Sequence, residues 1–335
     1  MIIRRRSFLK AASCLPLSVA LPSIAYTKID FGTTKITTVS DGSITLPAGL
    51  TFDTMPKAEL ELIINELSLS REQLVRECNV TLLETENRKI LFDVGAGVYF
   101  LDGMGAIVDS LDERGLAPED ITDVIFTHAH PDHIWGVLDD FDDLLFPNAK
   151  YHIGRTEWDY WWNPETVNRV DESRVETAVG AKTRFEALQD QIEFFDDGDE
   201  PIPGVLALMT PGHTPGHMSF EIANGSQSAL IVGDAINDHH VAFKRPNWLN
   251  GLDQNPEEAA QTRQKLLNRI SNEDMVIIYP VHLNPKIQKP VSDILSGIKN
   301  ILLVKPFAYE DFIWMMNRSK LIITDSGGVQ EEAPS

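Results

Sequence analysis

Cysteine is nearly absent from the chain. Cys14 and Cys78 are the two present, and Cys14 falls in a segment expected to be removed on export, so no disulfide is available to the mature monomer. Cys78 is expected to be a small core residue rather than a ligand, and the surroundings of Cys14 give no lipid-attachment context. Positive charge is scarce as well: 29 lysines and arginines stand against 50 aspartates and glutamates, a formal net charge of −21. That balance excludes nucleic acid as a partner and leaves no basic patch for anionic lipid, so the expected partner is a small-molecule substrate. Long apolar runs are missing too. Ala11 to Leu21 is short and broken by Pro16, and no stable membrane insertion is expected once it is removed.

That run belongs to a leader, residues 1–25. It opens on Arg4-Arg5-Arg6-Ser7-Phe8-Leu9-Lys10 and places Ser23 and Ala25 at the −3 and −1 positions of a cleavage site. It resembles a twin-arginine export signal, which implies a periplasmic or secreted protein that folds, with any cofactor loaded, before it crosses. Removing its four basic residues would take the formal charge from −21 to about −25. The remaining chain is long enough for one large or two modest domains.

The body reads as an α/β protein. Ile36 to Thr45 predicts a strand with a turn at Asp41-Gly42, and Lys57 to Arg76 has helical periodicity. Asn79 to Glu84 and Lys89 to Asp93 form a hairpin pattern that runs into Asp93-Val94-Gly95-Ala96-Gly97. Asp93 is placed there either to orient a ligand histidine or to brace the turn. Ala106 to Arg114 predicts a helix, Val124 to Phe126 a buried strand, and Ile134 to Phe141 a second helix. After a strand at Lys150 to Ile153 come Trp158, Tyr160, Trp161 and Trp162. So many large rings exceed what one amphipathic face buries. Trp158, Trp161 and Trp162 are therefore expected to line a substrate pocket or a contact between two copies in a homodimer, with simple core packing the alternative.

Histidine and aspartate, by contrast, are concentrated where strands end. Thr127-His128-Ala129-His130-Pro131-Asp132-His133 follows Val124-Ile125-Phe126 directly. Three imidazoles and a carboxylate in six residues form a metal-ligand cluster, because those groups hold zinc and similar ions. Val205 to Met209 then ends in Thr210-Pro211-Gly212-His213-Thr214-Pro215-Gly216-His217, and a hairpin at Met218 to Ile222 and Ser228 to Val232 ends in Gly233-Asp234-Ala235. His213 and Asp234 thus join the first cluster, while His217 is expected to orient backbone.

With these motifs in hand, the chain from about Thr33 to Met275 resembles the metallo-β-lactamase superfamily. Within it, the likeness is to exported methyl parathion hydrolase-like and quorum-quenching lactonase-like enzymes. Thr210 to His217, Val232 to Ala235 and Asn255-Pro-Glu-Glu-Ala-Ala-Gln-Thr-Arg263 support that resemblance. It implies an αββα sandwich over residues 26–275 with the site at one end of two packed sheets. It also implies that His128, His130 and His213 hold one divalent metal, Asp132 and His133 a second, and that Asp234 bridges them, so that Asp132 and Asp234 take part in the chemistry. A common β-lactamase subclass would carry cysteine at the position of Asp234, so aspartate points to the dinuclear hydrolase branches. Two such cations ionise a water near neutral pH and polarise a carbonyl or phosphoryl oxygen. Zinc is the expected metal, and manganese, iron or cobalt also suit these ligands. A lactone, ester or aryl phosphotriester with an apolar or aromatic portion is the implied substrate.

The tail departs from that pattern. Residues 276–335 resemble part of a non-hydrolysing UDP-N-acetylglucosamine 2-epimerase, in Tyr279-Pro-Val-His-Leu-Asn-Pro285 and Thr324-Asp-Ser-Gly-Gly-Val-Gln-Glu-Glu-Ala-Pro334. Strands at Met275 to Tyr279, Asn300 to Val304 and Leu321 to Thr324, with helices between, predict a partial doubly wound, Rossmann-like βαβαβ fragment. One half of such a fold does not close on a nucleotide sugar, so epimerase activity is not expected. A gene fusion, a chimeric gene prediction or a recombined sequence is. His282 stands where a hydrolase's last strand presents its final ligand: either it completes the second metal site or it belongs to the tail alone. A metal-binding but catalytically impaired chimera, whose tail is non-functional or only binds nucleotide sugar, is the corresponding alternative.

Overall fold

The computed structural model describes residues 28–31, 34–98, 100–224, 227–272, 277–280 and 301–304. Seven strands form one sheet in sequential order: β1 (Lys28–Phe31), β2 (Thr34–Pro47), β3 (Gln73–Glu84), β4 (Lys89–Phe92), β5 (Asp123–Phe126), β6 (Lys150–Gly154) and β7 (Ile192–Phe195). The first four pair antiparallel, and β4 to β7 pair parallel. A second sheet is the antiparallel meander β8 (Val205–Met209), β9 (Met218–Asn224) and β10 (Gln227–Ile231). The helices are α1 (Gly49–Phe52), α2 (Lys57–Leu67), α3 (Ile107–Asp112), α4 (Pro131–Ile134), α5 (Arg155–Trp162), α6 (Val175–Leu188), α7 (His239–Ala242) and α8 (Pro256–Asn272).

The alternation of side chains along the central strands makes the layers. Val124 and Phe126 of β5 and Leu91 of β4 pack with Ile107 and Leu111 of α3, Trp158 and Trp161 of α5, and Phe185 and Leu188 of α6. Ile125, Ile90 and Phe92 point the other way, into a core shared with Val205 and Ala207 of β8, Phe220 and Ile222 of β9, and Ala229 of β10. Successive strand residues face opposite sides, so a continuous apolar run is what a sheet buried on both faces requires. On the outer side of the second sheet, Leu266 of α8 and Leu208 of β8 line one cleft of about 320 Å³. The order helix, sheet, sheet, helix is the αββα sandwich expected.

Several local expectations change. Asp41-Gly42 is not a turn: β2 runs unbroken from Thr34 to Pro47, with a bulge in its pairing to β3 between Ser40 and Gly42. The bulge frees the Asp41 carboxylate to accept the backbone N–H groups of Ala96 (2.8 Å) and Ile107 (3.1 Å), which braces the loop after β4. The helix expected to reach Arg76 stops at Leu67, where Ser68 turns left-handed (φ 56°). Residues 73–78 extend β3 instead, because the outer half of β2 offers them a full hydrogen-bonding partner. The helix expected over residues 134–141 is one α turn, α4, followed by a 3-10 turn at Trp135–Val137. Leu138 then turns away to bridge Leu144.

In the tail, β11 (Ile277–Pro280) and β12 (Ile301–Val304) pair in parallel, the relation a βαβ connection produces. The leader, His282, and the tail's expected helices and third strand lie outside the described residues. No helix among the described residues is long and apolar enough to cross a membrane.

Candidate metal centre

Every candidate ligand in the described residues sits just past the end of a strand. β5 leads to His128, His130 and α4 with Asp132 and His133, β8 leads to His213, and β10 leads to Asp234. Packing the two sheets face to face brings these ends together. Ligand atoms of His128, His130 and His213 all lie within 4.8 Å of one another, as do those of His128, His133 and Asp234. His130 Nδ1 and His213 Nε2 are 2.8 Å apart, and Asp234 reaches both sides, 3.4 Å from His133 Nε2 and 3.3 Å from His213 Nε2. Asp132 Oδ2 is 3.5 Å from His133 Nε2.

Asp93 sets the tautomers. It follows β4 with a left-handed backbone (φ 69°), and its Oδ1 accepts the Thr127 N–H at 2.7 Å. Its Oδ2 accepts the Thr127 hydroxyl at 2.8 Å and lies 2.8 Å from His133 Nδ1. A carboxylate only accepts, so His133 carries its proton on Nδ1 and turns Nε2 toward Asp132 and Asp234. Thr127 Oγ1, its proton given to Asp93, accepts in turn from His128 Nδ1 at 2.9 Å. That leaves His128 Nε2 as a bare lone pair. It is buried and has no hydrogen-bond partner among the described residues. An orphaned, buried imidazole nitrogen facing other imidazoles is an expensive arrangement without a cation and a suitable one with it, so these residues fit a metal.

His217 is spent differently. Its Nδ1 bonds Thr210 Oγ1 (2.8 Å) and its Nε2 accepts the Asp234 backbone N–H (3.0 Å), so it orients backbone as expected from the sequence. Gly233 makes this approach available: its φ is 51°, and a Cβ there would lie 2.7 Å from His217 Nε2.

The electrostatics suit cations. Burial pushes His128 and His130 well below the usual histidine range, and burial with the neighbouring His133 pushes His213 down to about 3. These rings are therefore neutral, the form that coordinates metal. Burial also pulls on His133, but the carboxylates of Asp132, Asp234 and Asp93 outweigh it and hold the ring well above that range. Burial pushes Asp132 up, but His133 beside it outweighs that and holds the carboxyl well below the usual carboxylate range. Asp234 is pushed up to about 6, chiefly by burial.

The aromatic stretch is a correction. Trp158 and Trp161 of α5 are buried core residues, and Trp162 is half-buried against Trp158 with their rings stacked 5.2 Å apart. Trp158 also stacks on Phe185 of α6 at 4.1 Å. Residues three and four apart share a helix face, and this face meets α6 rather than a pocket. Trp161 touches the centre from below, edge-on to His130 at 6.0 Å. Cys78 is half-buried, with its Sγ 3.3 Å from the Asp132 carbonyl oxygen.

Some residues carry the site without a sequence signal that singled them out. Asp253, just before α8, accepts from His213 Nδ1, and Glu157 of α5 bonds two ligand loops. Arg76 of β3 donates to the carbonyl of Asn237, in the loop after Asp234. Asp253 looks in sequence like a helix-start residue. Glu157 does carry a faint signal, an acid one helical turn before Trp161 on a face otherwise made of rings.

The metallo-β-lactamase superfamily pattern matches residues 74–282. The chain belongs to that superfamily. The UDP-N-acetylglucosamine 2-epimerase pattern matches residues 253–335, so the two share the stretch that begins at Asp253. Among solved structures, the dizinc quorum-quenching lactonase AidC is 27% identical with a TM-score of 0.69, over 74% of this chain and 87% of that one. The hydrolase AbOPH of the β-lactamase superfamily gives the same figures, 27% and 0.69 over 74% and 87%. Among curated proteins, the tail is 61% identical over 66 residues to UDP-N-acetylglucosamine 2-epimerase of Campylobacter jejuni and 54% over 65 residues to that of Escherichia coli K12. The match takes 20% and 19% of this chain, and the chain spans 17% of the length of each of those relatives.

Proposed function

We propose that the chain is an exported, dinuclear metal-dependent hydrolase acting on a lactone, a carboxyl ester or a phosphotriester with an apolar portion. The observation that carries this is the convergence of His128, His130 and His213 around an unpartnered His128 Nε2, with His133 and Asp234 alongside. In the proposal, the three histidines hold the first divalent ion, Asp132 and His133 hold the second, and Asp234 joins them. Two such ions supply Lewis acidity for hydrolysis near neutral pH. The chain's own part is to keep His128, His130 and His213 neutral, to aim His133 through Asp93, and to hold Asp234 through His217. Zinc is the first choice, with manganese, iron or cobalt accepted by the same donors. The lactonase likeness supports acyl-homoserine lactones as the first substrates to try, and the leader supports a periplasmic or secreted setting.

A panel of acyl-homoserine lactones, aryl esters and methyl parathion, assayed with metal analysis of wild type and His130→Ala, tests the proposal. Metal-dependent turnover of at least one neutral substrate, with loss of metal and activity in the mutant, is expected. Retained metal and retained hydrolysis in His130→Ala, or preference for a highly anionic substrate, would overturn it.

A second reading, a metal-binding but impaired chimera, is favoured by the tail's likeness to a small part of an epimerase. Limited proteolysis separates the two. Rapid loss of everything after about Tyr279 with no turnover supports the chimera, whereas global protection with turnover supports the hydrolase. The absence of any UDP-dependent thermal shift would remove nucleotide-sugar binding by the tail.

A further inference from the structure

Glu157 is fully buried in α5, is not among the candidate ligands, and has no salt-bridge partner among the described residues. A buried carboxylate without a cation is costly unless hydrogen bonds satisfy it. Four do. Oε1 accepts the backbone N–H of Ala129, the residue between His128 and His130, at 2.9 Å, and the Trp161 indole N–H at 2.7 Å. Oε2 accepts the hydroxyl of Thr214, the residue after His213, at 2.7 Å, and the Gly216 N–H at 3.0 Å. The two oxygens therefore serve two different loops, one leaving β5 in the large sheet and one leaving β8 in the small sheet. Contact is close: a Cβ on Gly216 would fall 2.1 Å from the Glu157 backbone nitrogen. Across the same two loops, His130 and His213 approach to 2.8 Å.

We propose that Glu157 is a positioning residue that sets the spacing of the His128–His130 loop against the His213 loop, and so the affinity and geometry of the first metal site. This rests on the reading of those three histidines as ligands. No ligand side chain is altered by changing Glu157. Its effect reaches the metal through Ala129 and Thr214, each covalently next to a ligand.

Cobalt(II) titration of the metal-stripped, full-length protein tests this, read by affinity and by the visible absorption that reports ligand geometry. Glu157→Gln keeps the shape but turns an amide N–H₂ toward donors. It is expected to weaken first-site cobalt binding about ten- to hundredfold, the range typical when a group supporting a ligand is changed, and to shift the visible band. The thermal midpoint of the metal-free proteins is measured alongside. A lower midpoint with wild-type cobalt affinity and spectrum would show a purely architectural role and overturn the proposal. If Glu157→Gln does not yield folded protein, Thr214→Val and Trp161→Phe each remove one donor and carry the same test, and unchanged cobalt affinity in both overturns it. Failure of the wild type itself to bind cobalt would instead remove the metal reading, and this inference with it.

Discussion

Asp253 and His213 form a buried pair, with Oδ1 of the aspartate 3.0 Å from Nδ1 of the imidazole. Its other oxygen accepts from Arg263 of α8 at 2.8 Å, and Arg263 donates again to the Trp248 carbonyl. A carboxylate behind a ligand imidazole fixes its tautomer and raises its basicity. Asp253→Asn is therefore expected to weaken metal binding about ten- to hundredfold, measured by chelator competition. Arg263→Met strands the aspartate charge in the interior and should cost about 3–5 kcal/mol in chemical denaturation. Wild-type behaviour of both mutants would show that the pair does not support His213. Since both residues lie within the stretch shared by the two family patterns, loss of metal affinity would also assign that stretch, at least through α8, to the hydrolase.

Trp158 belongs to the core. Trp158→Ala removes rings stacked on Phe185 and Trp162, and a loss of about 3–5 kcal/mol of stability is expected. The KM for any turned-over substrate should stay within about twofold in the folded fraction. A large KM rise without loss of stability would restore the pocket reading.

Asp123, at the start of β5, gives a pH dependence at the end of that strand opposite to the candidate ligands. Burial pushes its carboxyl up, but hydrogen bonds from His152 and Thr122 and the Arg88 guanidinium outweigh it, and the net effect is a lowered value. A carboxyl whose folded value lies below its unfolded one, about 3.9, stabilises the fold above that pH. The contribution is lost as pH falls through the lowered value. Urea midpoints of wild type and Asp123→Asn should therefore differ at pH 7 and converge below about pH 4. A difference that grows on acidification would reverse the assigned direction.

His282 is proposed to complete the second metal site. His282→Ala should then lower the stoichiometry from two ions toward one and reduce turnover more than changes behind a ligand do. Two ions per chain and unchanged turnover in that mutant would place the histidine with the tail alone, leaving the first site untouched.

Much of the site was legible along the chain because its candidate ligands are local in sequence. His128, His130, Asp132 and His133 fall within six residues after an apolar strand, and such a density of imidazole and carboxylate has few other uses. The sandwich was legible for the same kind of reason, since strands that end in ligands must bring those ends together. Tertiary structure decided what depends on partners distant in the chain. Residues 73–78 became strand because β2 lay beside them, overriding a helical period. Asp41 does not make the turn its Asp-Gly pair suggests but, from a bulge in β2, braces the loop that holds Asp93, 52 positions away. The tryptophans went to the core because α6 supplied Phe185, which no pattern within α5 announces. Asp253 and Glu157 are single acids whose roles exist only once two sheets have packed and donors from separate loops converge on them. Side-chain type and local period are properties of the chain itself, whereas which donors meet a buried carboxylate is settled by long-range packing.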